Sequence, residues 1–93
     1  MNTELQINAE LQKHLLETNA INDGVQYVFK FPNNYGASVV RHKFSYGGMQ
    51  GQWEIAVLDE NDELTYKTPI TQDVLGWQDQ DEVMDVLFAI SKL

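Results

Sequence analysis

A chain of 93 residues can bury one hydrophobic core but not two, and 43% hydrophobic content with ten aromatic residues is the composition of a folded domain despite a net charge of -8. The absence of cysteine excludes disulfides, thiolate metal sites and a cysteine nucleophile. The charge is lopsided: residues 1–53 hold four acids and four bases, whereas residues 54–93 hold ten acids and two lysines, so the whole excess lies in the second half. Such a surface repels nucleic acid and anionic lipid and attracts basic proteins within about 8 Å, the screening length at physiological salt.

The first twenty residues have a helical period, with Thr3 and Gln6 spaced as a capping box and Ile7, Leu11 and Leu15 recurring every fourth position. The opening residues lack the basic stretch and apolar run of a secretory signal. No segment approaches the ~20 apolar residues needed to cross a bilayer, so a cytoplasmic location is expected.

Asn22, Asp23 and Gly24 mark a turn. After it, Val25, Tyr27, Phe29 and Phe31 alternate with polar positions as in a strand. Pro32 to Gly36 breaks that strand, and a second, about Ala37 to Phe44, returns antiparallel. Ser45 to Gly51 is too glycine-rich for a regular element and reads as a loop. Trp53, Ile55 and Val57 mark a third strand, Asp59 to Asp62 a turn, and Leu64 to Lys67 a short fourth strand. Thr71 caps a short helical segment that Gly76 closes. Asp79 and Glu82 form a capping box for a final helix whose buried stripe is Val83, Val86, Leu87 and Ile90. The expected fold is α+β: an N-terminal helix, an antiparallel meander of three or four strands, then a short helix and a C-terminal helix on one sheet face.

Several motifs invite a chemical reading that their spacing does not support. The glycines from Gly47 to Gly51 match neither the P-loop nor the dinucleotide fingerprint, and suit a loop that needs positive φ or lets a tyrosine pack on backbone. Asp59 to Glu63 begins like a calcium loop, but the sixth and twelfth positions are Leu64 and Ile70. His14 and His42 show no metal-ligand spacing. Ser38, His42 and Glu54 could supply a hydrolytic triad only without a nucleophile elbow. No catalytic residue, metal or cofactor is therefore assigned, and the chain is expected to act by binding, not as an enzyme.

Two groups remain as candidate contact residues. Tyr46 and Trp77 fall in segments read as loops, and each joins a large apolar body to a polar tip. Asp59, Glu60, Asp62, Asp73, Asp79, Asp81, Glu82 and Asp85 either solubilise the chain or form one negative face that imitates a phosphate backbone. The expected partner is a basic protein, with no direct contact to nucleic acid or membrane, the chain itself being a monomer or homodimer.

The stretches Phe31 to His42, Ser45 to Gly48, Trp53 to Leu58, Thr68 to Thr71 and Asp73 to Trp77 resemble small acidic proteins of bacteriophages and prophages. The resemblance spans roughly two thirds of the chain. It implies a bacterial or phage setting and an accessory role, and brings no catalytic residue with it. In topology and charge alone the chain also looks like some small anti-CRISPR proteins, which suggests an inhibitor of a nucleic-acid-binding machine; a structural module assembling with itself is the alternative.

Overall fold

In the computed structural model, which describes residues 5–93, a five-stranded antiparallel meander carries helices on one face. The strands are β1 (Leu15–Ile21), β2 (Gly24–Lys30), β3 (Gly36–Arg41), β4 (Trp53–Leu58) and β5 (Leu75–Gln78), in that spatial order. A single turn, α1 (Ala9–Gln12), precedes the sheet and α2 (Gln80–Ser91) follows it.

The α+β class and the C-terminal helix agree with the sequence reading. The N-terminal helix does not: it shrinks to α1, capped by the Asn8 side chain, and the rest of the helical period becomes β1. Asn22 and Asp23 sit at φ 45° and 63°, the two-residue arrangement that matches strand twist, and Ile21 then pairs with Gly24. Such a turn needs a strand on both sides, and β1 pairing with β2 outweighs a helix of marginal length. The expected Thr3 capping box lies outside the described residues.

The segment after β4 also differs. Leu64 makes only a bridge to Leu58, and Thr65 donates its N–H to the Val57 carbonyl at 2.9 Å before the chain turns away. Hydroxyls then capture the backbone: Thr65 Oγ1 accepts from the Lys67 N–H, Thr68 Oγ1 from the Ile70 N–H and Thr71 Oγ1 from the Asp73 N–H. These local bonds compete with helix, so the short helix expected at Thr71 is absent and Gly76 lies inside a fifth strand instead.

One sheet face carries the core. Tyr27 and Phe29 of β2, Ala37 and Val39 of β3, and Trp53, Ile55 and Val57 of β4 meet Val83, Leu87 and Ile90 of α2. The chain before α1 is tied beneath this helix, with Leu5 buried and its N–H donated to the Tyr27 hydroxyl. At the far end Asn33 Nδ2 donates to the carbonyls of Ile90 and Leu93, closing the C-terminus of α2. Among the described residues no helix lies over the opposite sheet face.

Candidate functional site

The two ends of the sheet differ in chemistry. The end at which β3 stops and β4 starts bears Phe44, Tyr46, Met49 and Trp77, all among the exposed large hydrophobics. The 42–52 connection is held in place by its own polar groups: Ser45 Oγ accepts from the His42 N–H and donates to the His42 carbonyl, and Glu54 Oε1 accepts the Tyr46 N–H at 2.9 Å. Gly47 and Gly51 stand at φ 89° and 78°, as a loop needing positive φ requires.

Trp77 is not in a loop but in β5, where it creates an irregularity. Trp53 pairs with Gln78 and Ile55 with Leu75, so Gly76 and Trp77 together oppose Glu54 as a bulge. Trp77 takes φ 60°, a left-handed conformation in which a bulky residue stores of order 1–3 kcal/mol. Its N–H donates to the Tyr46 carbonyl at 3.2 Å, and a Cβ on Gly76 would lie 2.4 Å from Tyr46 Cβ, so only glycine lets the tyrosine approach. The two aromatics are thus neighbours, 61% and 55% exposed. Trp53, by contrast, is buried with the Arg41 guanidinium 4.3 Å from its ring.

Seven of the eight acids fall into two groups, not one contiguous cluster, and Asp73 stands apart from both. Asp59, Glu60 and Asp62 occupy the β4 hairpin beside Asn33 and Asn34, near the C-terminus of α2. Asp79, Asp81 and Glu82 lie at the start of that helix, whose 12 residues span roughly 18 Å, and Asp85 stands near its middle. Asp73 precedes β5 and accepts the Val74 N–H. Several are engaged locally: Asp59 accepts from the Asn61 and Glu63 amides, Asp62 pairs with Lys30 at 2.9 Å, and Asp79 and Glu82 cap α2 reciprocally. The Glu60, Asp81 and Asp85 carboxylates have no partner among the described residues. What the fold does unite is Trp77 with Asp79 and Asp81, which follow it directly at the same end.

Ser38, His42 and Glu54 all line one concavity on the helix-free sheet face, but no hydrogen bond joins any two of them among the described residues. His42 Nδ1 accepts the Phe44 N–H and Ser38 Oγ accepts from Gln26 Nε2, so neither addresses the other. Among the described residues no three His, Asp or Glu side chains are placed to hold a metal, and no helix is long and apolar enough to cross a membrane.

One surface escaped the sequence reading. The helix-free face carries a concavity of about 500 Å³ whose floor includes Val28, Ser38, Val40 and Ala56 and whose walls include Leu16 and Leu64. Its signal is in β4, where Ile55, Ala56, Val57 and Leu58 run apolar without alternation, the pattern of a strand with two apolar faces. No protein-family model matches the chain, and no match to it is found among the curated proteins or the solved structures.

Proposed function

We propose that this chain works by binding a basic protein, and that the contact is centred on Tyr46 and Trp77. The observation that carries this reading is Trp77 itself: a large aromatic held in strained backbone, exposed, and adjacent to a second exposed aromatic. Backbone strain that persists on a surface residue makes sense where the side chain is needed in one place. Tryptophan and tyrosine supply the anchoring energy of protein interfaces, and the nearby Asp79, Asp81, Glu82 and Asp85 steer a cationic surface toward them.

The resemblance to small acidic phage and prophage proteins suggests a host or phage protein of the bacterial cytoplasm as the partner, and inhibition is suggested only by the analogy of topology and charge to small anti-CRISPR proteins. Because the acids stand in two groups, they are assigned here to steering and orientation, not to tracing a continuous phosphate backbone. Capture from bacterial lysate tests the reading. A partner held by the native chain at low salt should be lost with Trp77→Ala and with the double variant Asp81→Lys, Asp85→Lys; capture unaffected by either set refutes it.

A second reading, self-assembly, is favoured by β1, a seven-residue edge strand bearing a single charge, Glu17, and an exposed Leu16. Light scattering decides between them, since pairing of two β1 edges gives a dimer whose mass doubles that of the monomer.

A further inference from the structure

We propose that the helix-free face of the sheet is the seat of a basic amphipathic helix contributed by the partner, which deepens the reading above and rests on it. The floor of the concavity is built from small or short side chains, Ser38 and Ala56 at the centre with Val28 and Val40 beside them, while Leu16 and Leu64 rise at its sides. This is a trough, and a helix of 10–12 Å diameter is the secondary structure whose cylindrical surface fills one. Strands of six or seven residues run about 20 Å, the length of roughly four helical turns. Such a helix would occupy the place on this face that α2 occupies on the other, completing a third layer.

The charge around the trough selects the occupant. Glu17 and Glu54 line it without an ion pair, Asp62 lines it paired with Lys30, and His42 is the one basic-type side chain among its walls. A segment with an apolar stripe flanked by lysine or arginine satisfies both features. A second copy of this chain satisfies neither: in a two-fold pairing the same carboxylates would face one another, and the chain's own amphipathic helix has Val83, Leu87 and Ile90 fully buried already. The trough also joins the aromatic site, because Glu54, one of its walls, accepts the Tyr46 N–H and lies opposite Trp77 in the sheet. One helix can therefore rest in the trough and end against the two aromatics.

The probe is a synthetic 18-residue peptide with a leucine stripe and lysine flanks, compared with its glutamate-flanked counterpart, titrated against the full chain labelled at its methyls and its backbone amides in an NMR experiment. The lysine peptide is expected to shift the Val28, Val40 and Ala56 methyls saturably while Leu87 and Ile90 stay in place. Ser38→Arg, which fills the trough with like charge, should weaken it at least tenfold, and Glu17→Lys, an exposed change that leaves the core untouched, several-fold. Equal binding of the two peptides overturns the charge argument. Shifts confined to Tyr46 and Trp77 overturn the sheet-face seat and leave the aromatic site standing, whereas loss of capture in Trp77→Ala with intact trough shifts upholds both. Trough methyls that move on concentrating the protein alone would assign the face to a second copy and overturn the proposal.

Discussion

The Trp77 N–H donates to the Tyr46 carbonyl at 3.2 Å, and this bond fastens a left-handed tryptophan in an edge strand to the loop that carries the second aromatic. The conformation is costly for any residue with a Cβ, so the local backbone would be happier with glycine. Trp77→Gly and Trp77→Ala both delete the ring, but only the first removes the strain. Urea denaturation should find the glycine variant more stable than the alanine variant by about 1 kcal/mol, with both defective in partner capture. Equal stability of the two would mean that the left-handed geometry is not costly here.

Asp79 has a second task besides its charge. Its carboxylate accepts the Glu82 N–H at 2.8 Å while Glu82 Oε1 accepts the Asp79 N–H at 2.9 Å, a complete capping box. Asp79→Ala should cost about 1 kcal/mol of stability and Asp79→Ser much less, because a hydroxyl also caps. If serine restores stability without restoring partner capture, charge and cap are separate roles of the same residue, and thermal unfolding beside a binding assay reads both.

Much of the fold was legible because its signals were local and unopposed. The Asp79 and Glu82 box, the i, i+4, i+7 spacing of Val83, Leu87 and Ile90, and the alternation in β2 each pointed to one structure. Where two signals competed, the weaker-looking one prevailed. Ile7, Leu11 and Leu15 have helical spacing, yet the Asn22 and Asp23 turn dictates a hairpin, and pairing with β2 draws Leu15 into a strand. The Thr71 cap was real in that its hydroxyl does accept the Asp73 N–H, but three successive hydroxyl turns consume the donors and acceptors that a helix would need.

The candidate site was half legible. Side-chain chemistry singled out Tyr46 and Trp77, and the fold makes them neighbours, although Trp77 stands in β5 and not in a loop. Their adjacency depends on which strand pairs with β4, a contact that no local pattern reveals. The separation of the acids into two groups has the same origin: Asp62 and Asp79 are close in sequence but lie toward opposite ends of α2.

Gly24 tests the pairing of β2 with β3. A Cβ there would lie 2.0 Å from the Arg41 carbonyl oxygen and 2.6 Å from His42 Cα, both backbone atoms of the adjoining strand and loop. Neither can yield without opening the β2–β3 pairing. Gly24→Ala should therefore cost more than 2 kcal/mol, beyond the usual range for a surface substitution, and should raise amide exchange at Val25 and Arg41. Native-like exchange in that variant would show that the two strands are less closely apposed than the structure has them.

Asp81 and Asp85 are both exposed and stand four residues apart on α2, where like charges repel and opposite charges attract by a few tenths of a kcal/mol. If these acids served only to stabilise the domain, reversing one of them would be harmful. The pairing rule gives the opposite sign: Asp85→Lys replaces a repulsion by an attraction in the favoured acid-before-base order, and should stabilise the protein by about 0.5 kcal/mol at low ionic strength. That gain should vanish by about 1 M salt, where the screening length falls to about 3 Å. The same variant should associate more slowly with a basic partner, because the field that steers encounter is weakened. Chemical denaturation at two salt concentrations, set beside stopped-flow association with the captured partner, measures both signs; a variant that is more stable yet associates at the native rate would remove the helix acids from the binding surface.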